Sequence, residues 1–166
     1  MRRRSICPWL RFFCVALVVV WIPPAPVIAG GLCAGRDHTL QCLKRNFDGL
    51  YTSDYAGFSE IIRTAAQKAR SCQSPPNTAS FLDLARFIHG NAEMQEYFGE
   101  VVERLCIDRP DCFFDALIRV DPRSRQQIVE ALKNPMFMEQ SAIDAVFQAH
   151  KAGAKYRSIM QLYFDH

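Results

Sequence analysis

The sequence lacks the short motifs that mark the common classes of catalytic site. Its 166 residues contain no Gly-x-Ser-x-Gly elbow, no Ser-x-x-Lys pair and no glycine-rich phosphate loop. No Cys-x-x-Cys pair occurs, and the cysteine spacings fit no zinc module. The sequence therefore predicts no catalytic residue, no cofactor and no metal ligand. A small hydrolase whose catalytic groups meet only in three dimensions is kept as an alternative.

The sequence also lacks an excess of charge of either sign. Its 20 basic and 17 acidic residues give a formal net charge of +3. Four of the basic residues lie within the first 11 positions, in a segment that we expect to be removed. The remainder is nearly neutral, so it has no extended basic surface for nucleic acid. Nucleic acid is therefore not a predicted partner.

No apolar run is long enough to cross a membrane. The longest, residues 12–22, has 11 residues and would form a helix of about 16 Å, against a hydrocarbon core of about 30 Å. Arg2, Arg3 and Arg4 precede this run, and three prolines follow it. This order is typical of a secretory signal. We predict a signal peptide over residues 1–29, cleaved after Ala29 or, as a second choice, after Gly31.

One domain, residues 30–166, would then be secreted or periplasmic, with no stable membrane span after processing. An uncleaved N-terminal membrane anchor is the minor alternative.

Cleavage would leave five cysteines in an oxidising compartment, where disulfides are the expected state. The remaining cysteines are Cys33, Cys42, Cys72, Cys106 and Cys112. Pro110 breaks the helix between Cys106 and Cys112, so the chain can turn back and join these two. For the second bond we favour Cys33 with Cys72, and the alternative is Cys42 with Cys72. The favoured pairing predicts Cys42 as the free thiol.

Short alternating apolar stretches, typical of strands, are absent after residue 30, and the apolar periodicity is helical. The pattern predicts an all-α fold of about eight short helices. They cover approximately residues 37–50, 55–71, 80–90, 91–105, 110–120, 122–133, 141–152 and 155–164. Asn91 and Asp121 are predicted helix caps, the latter because proline follows it.

Two similarities along the chain suggest that these helices form stacked hairpins. Residues 81–83 resemble residues 113–115, and residues 101–105 resemble residues 128–132. The third and fifth predicted helices are apolar around most of their circumference, whereas the fourth and sixth are amphipathic. Inner helices would thus alternate with outer helices, as in a helical repeat or an irregular bundle. Chance similarity between amphipathic helices is the other explanation.

Polar clusters have ordinary structural interpretations. His38 and Cys42 share one helix face, which could hold a metal, but no further ligand lies nearby in the sequence. Glutamates at positions 93, 96, 100 and 103 recur at helical spacing, and we predict that they form a solvated face. Arg119, Arg123 and Arg125 surround Asp121, where they could dock an acidic partner or, more simply, be solvated.

Large apolar side chains in unexpected places give the only indication of function. Residues 135–138, Pro-Met-Phe-Met, lie between two predicted helices, where they either plug the end of the bundle or form an adaptable contact. Phe87 lies at the border of an apolar helix face. We therefore predict an exported, non-enzymatic protein that binds another protein, with Phe87 or Phe137 as a contact. A specific inhibitor or immunity-type protein for an exported enzyme is the alternative.

Overall fold

The computed structural model describes Cys33 and residues 39–165, and every regular element in these residues is helical. The predicted all-α class is confirmed. The predicted signal peptide and His38 lie outside the described residues. The α-helices are α1 (Leu40–Arg45), α2 (Phe47–Ser53), α3 (Tyr55–Ser71), α4 (Pro75–Leu82), α5 (Ala92–Asp108), α6 (Pro110–Leu117), α7 (Pro122–Leu132), α8 (Gln140–His150) and α9 (Arg157–Phe164). Two 3₁₀ turns, Asp83–Arg86 and Ala154–Tyr156, follow α4 and precede α9.

Helix boundaries follow the local capping chemistry in most places. The side chains of Asn91 and Asp121 accept backbone N–H groups at the starts of α5 and α7, as predicted. The predicted start at Ser80 is wrong, because α4 begins at Pro75. Proline suits the first helical turn, where its missing N–H would have no partner. Ser80 instead donates its hydroxyl to the carbonyl of Pro76.

Two successive hairpins share one construction. Helices α3 and α5 each have 17 residues, and α4 and α6, which follow them, each have eight. Residues 58–62, Phe-Ser-Glu-Ile-Ile, correspond to residues 98–102, Phe-Gly-Glu-Val-Val, with their apolar side chains buried in both helices. This spacing of 40 residues differs from the spacings of the two similarities predicted above. Only the first of those has its apolar residues in corresponding helices, at 81–82 on α4 and at 113–114 on α6.

The core forms around α4 and α6, which contact each other and were predicted as parts of the inner helices. Phe81 and Leu82 on α4 and Phe113 and Leu117 on α6 are fully buried. Each such side chain contributes roughly 1.5–3 kcal/mol by leaving water. At the far end, Phe147 of α8 stacks on Tyr163 of α9, with ring centroids 3.7 Å apart. Each successive hairpin therefore adds aromatic rings to one continuous core.

The cysteines pair differently from the prediction. Cys72 is bonded to Cys112 and Cys33 to Cys42, with Cα atoms 6.2 Å and 6.0 Å apart. The helix break after α5 occurs as expected, but Cys106 points into the core on the buried face of α5 and is the free thiol. Cys112, in the first turn of α6, faces the C-terminal end of α3. Both predicted pairs, Cys106 with Cys112 and Cys33 with Cys72, are therefore corrected, as is the free Cys42.

None of the helices in the described part of the chain combines the length and apolar character needed to cross a membrane.

Candidate protein-binding surface

A short apolar loop (residues 135–138) joins α7 to α8. Among the described residues, the large hydrophobic side chains that are exposed are Tyr55, Met136 and Phe137. Met136 is 67% exposed and Phe137 is 41% exposed, whereas Met138 packs against the core. The loop thus plugs the core with one methionine and presents two adjacent apolar side chains to solvent. Two adjacent exposed apolar side chains make this loop a candidate binding surface.

The carboxylate of Glu103 fixes the backbone of this loop. The N–H groups of Met136, Phe137 and Met138 donate to its two oxygens, each at 2.8 Å. Glu103 is only 4% exposed, and hydrogen bonds to a charged group contribute about 1.5–3 kcal/mol each. Three consecutive N–H groups that converge on one buried anion define a single loop conformation.

The sequence did not reveal this role, since Glu103 was grouped with three other glutamates on a solvated face. That prediction is wrong for Glu103. Glu93 and Glu100 do lie at the surface, where Glu93 accepts the hydroxyls of Tyr51 and Tyr55. Gly99 lies one turn before Glu103, and a Cβ there would lie 3.5 Å from the Phe137 ring. The ring therefore packs against α5 at this position, and a Cβ at residue 99 would make an ordinary van der Waals contact with it.

A groove of about 620 Å³ runs beside the apolar loop, between α5 and α7. Buried apolar side chains of Ile88, Phe98, Val102, Ile128 and Leu132 line it. Met136, His89 and Arg123 also line it, the last two near the first turns of α5 and α7. The groove therefore has an apolar floor, with charged and polar residues also among its lining residues.

The Oε1 atom of Gln127 also belongs to this region. Gln127 lines the groove, and its Oε1 is buried without a hydrogen-bond partner in the described structure. A buried acceptor without a partner is costly, and native structures contain few of them.

Phe87, the other predicted contact, packs elsewhere. Its ring stacks on Phe47 of α2, with centroids 6.0 Å apart and planes 17° apart, and the Arg86 guanidinium lies 4.6 Å from it. Phe87 is half-buried against the core, whereas the Phe137 ring packs beside Gly99 of α5. The structure does not join these two phenylalanines in one surface.

The predicted arginine cluster divides into different roles. Arg125 donates to the carbonyls of Leu117, Ile118 and Val120 and so closes the C-terminal end of α6. Arg123 is exposed and makes no side-chain hydrogen bond or ion pair with the described residues. Within the same residues, no group of three or more potential ligands could hold a metal ion.

Comparison of the chain with protein-family models, with curated proteins and with solved structures gave no match.

Proposed function

We propose that this is an exported, non-enzymatic helical protein that binds another protein through Met136 and Phe137. The observation that carries the proposal is the apolar loop, in which a buried carboxylate holds two large apolar side chains toward solvent. The two disulfides support an oxidising compartment.

A fixed loop is favourable for binding because its conformational entropy is already lost in the free protein. The backbone N–H groups of residues 136–138 all donate inward to Glu103. They are therefore not available for pairing with an edge strand of a partner, which is one common mode of peptide recognition. The partner must be recognised through the side chains of Met136 and Phe137. An inhibitor of an exported enzyme would use the same surface, with the enzyme as partner.

Site-specific photo-crosslinking tests the proposal in the exporting cell. A photoreactive amino acid at position 136 is expected to give a discrete heterologous adduct after irradiation. The same amino acid at position 63, an exposed arginine on α3, serves as the control. An absence of adducts, adducts of equal pattern at both positions, or only a dimer of the chain itself would overturn the proposal.

A further inference from the structure

The two disulfides differ in their exposure to solvent. Cys33 and Cys42 are only 3% and 8% exposed. Cys72 and Cys112, in contrast, are both half-buried, where the end of α3 meets the start of α6. A disulfide is reduced by a thiolate that must reach one of its sulfur atoms. Access therefore favours reduction of the Cys72–Cys112 bond over the other.

The backbone of Cys72 supplies a second difference. This residue is the C-cap of α3 and adopts the left-handed conformation, with φ 52° and ψ 32°. Within residues 39–165 and at Cys33, it is the only residue other than glycine with a positive φ. Glycine usually occupies this position, because a Cβ atom is unfavourable there. The bond to Cys112 restrains Cys72 in this conformation, so reduction allows the strain to relax.

Both sulfur atoms also have polar neighbours that a thiol can use. Sγ of Cys112 lies 3.8 Å from the carbonyl oxygen of Cys72, which can accept its S–H once the bond is reduced. Sγ of Cys72 lies 3.8 Å from Oγ1 of Thr78, a buried residue. A disulfide has no S–H to donate, whereas a thiol is a weak donor and acceptor. These contacts therefore favour the reduced pair.

The ends of the two helices decide which sulfur atom leaves. Cys112 lies in the first turn of α6, where the helix dipole favours a negative charge. Cys72 lies at the opposite, carbonyl end of α3, where a negative charge is unfavourable. Arg109 and Asp111 beside Cys112 have opposite charges, which leaves the helix ends as the main difference. Cys112 is therefore the better leaving group, and an incoming thiolate attacks Sγ of Cys72.

The packing around α4 does not depend on this bond. Helices α3 and α6 both contact α4, whose Phe81 and Leu82 are buried in the core. The disulfide joins only the end of α3 to the start of α6. Reduction is therefore expected to lower Tm and to free the end of α3, while the helices remain folded.

We propose that Cys72–Cys112 is a reversible thiol–disulfide exchange site for a dithiol protein of the Cys-x-x-Cys type, whereas Cys33–Cys42 stays oxidised. A thiolate of the dithiol bonds to Sγ of Cys72, and the S–S bond breaks to release Cys112 as a thiolate. The second thiol of the dithiol then displaces Cys72. The dithiol becomes a disulfide by loss of two electrons, and its two protons pass to Cys72 and Cys112. This site is independent of the binding loop proposed above.

Redox titration of the full oxidised protein tests the order of reduction. The protein is equilibrated with mixtures of reduced and oxidised dithiothreitol, quenched with acid, alkylated and mapped. Cys72–Cys112 is expected to be half-reduced at a ratio of reduced to oxidised reagent about tenfold lower than Cys33–Cys42. Thr78→Val is expected to raise the ratio for Cys72–Cys112 about threefold, because reduced Cys72 loses a hydrogen-bond partner. Thr64→Val, at an exposed position of α3, is the matched control and should leave it unchanged.

Two single variants test the leaving group. Cys72→Ser leaves Cys112 as a free thiol, and Cys112→Ser leaves Cys72 free. In folded protein at pH 7, iodoacetamide is expected to alkylate Cys112 about fivefold faster than Cys72, because the start of α6 favours the thiolate. Circular dichroism establishes that each variant is folded at the temperature of the measurement.

Several outcomes would overturn the inference. They are reduction of Cys33–Cys42 first or at the same ratio, reduction of Cys72–Cys112 only together with loss of the helical circular dichroism signal, or alkylation of Cys72 as fast as Cys112. An equal change of the ratio in Thr78→Val and Thr64→Val would also overturn it. Crosslinks at position 136 play no part in these measurements, so the proposed function stands or fails separately.

Discussion

Glu103 accepts the backbone N–H of Phe137 at 2.8 Å, although the two residues are 34 positions apart. The Phe137 ring also lies next to Gly99, which precedes Glu103 by one turn on α5. α5 therefore holds this residue twice, once by its backbone and once by its ring. The exposed half of the ring is then presented in a fixed direction.

Replacing Glu103 by glutamine is expected to lower the free energy of unfolding by about 2 kcal/mol or more. The amide has one acceptor oxygen for three N–H groups, so at least one buried donor loses its partner. Chemical denaturation measures the stability. Hydrogen exchange of the amides of residues 136–138 should accelerate more than exchange elsewhere.

Glu100→Gln is the matched control, since Glu100 lies one turn earlier and pairs with Arg104 at the surface at 3.0 Å. Surface pairs of this kind contribute about 0–1 kcal/mol. Equal losses of stability for the two variants would contradict the role assigned to Glu103.

Local features of the sequence predicted local structure well. Helix α3 begins and ends where the apolar periodicity places it, and the caps at Asn91 and Asp121 depend on side chains within three residues. The cysteine pairing and the role of Glu103 could not be predicted in this way. Both depend on which helices meet, over separations of 40 and 33–35 residues. The exposure of Phe137 was predicted in part. Its position in a connection between two predicted helices indicated exposure, whereas the orientation of its ring depends on the tertiary contact with Gly99.

Peptide mapping without reduction is expected to recover Cys72 linked to Cys112 and Cys33 linked to Cys42. In the chain-entropy account, the loop of 40 residues contributes about 4 kcal/mol and the loop of nine residues about 2.5 kcal/mol. The double variant Cys72→Ala, Cys112→Ala should therefore melt at a lower temperature than Cys33→Ala, Cys42→Ala. The reverse order, or either predicted cross-pair in the map, would contradict the structure.

Cys106 is expected to resist alkylation in the folded protein. Burial, and then the nearby charge of Glu103, raise the pKa of its thiol to about 12. The reactive thiolate is therefore scarce at pH 8, and the side chain is inaccessible. Iodoacetamide should add one group only after denaturation, as measured by intact mass. Rapid modification of the native protein would show that the thiol is not in the core.

Asp121 is expected to make the free energy of unfolding depend on pH in the acidic range. A hydrogen bond from the Asp83 carboxyl group when that group is protonated, and then hydrogen bonds from Ser124 and Arg123, hold the pKa of Asp121 well below the ordinary value of 3.8. A lowered pKa in the folded state stabilises the protein above the unfolded value, and this contribution is lost as the pH falls through the folded value. Asp121→Asn keeps the helix cap but removes the titration. The free energy of unfolding of the parent protein should exceed that of this variant by roughly 1 kcal/mol at pH 7. Urea titrations should show that this difference shrinks below pH 3.8. A difference that stays constant with pH would contradict this assignment.

Phe87→Ala and Phe137→Ala are expected to separate stability from binding. Phe87 stacks on Phe47 and packs against the core, so its truncation should cost about 2–4 kcal/mol, somewhat less than for a fully buried phenylalanine. Phe137 is 41% exposed, and its backbone bonds to Glu103 do not involve the ring. Its truncation should cost about 1 kcal/mol of stability, because the ring loses only its contacts on α5. If Phe137 anchors the partner, the same change should weaken binding by about 2 kcal/mol or more.

Thermal melts of both variants, combined with the photo-crosslinking yield at position 136, make the comparison. Phe87→Ala should have a lower Tm than the parent protein but should still crosslink at temperatures where it is folded. Phe137→Ala should have a Tm close to that of the parent protein and should no longer crosslink. Equal destabilisation of the two variants would place Phe137 in the core and remove it from the contact surface.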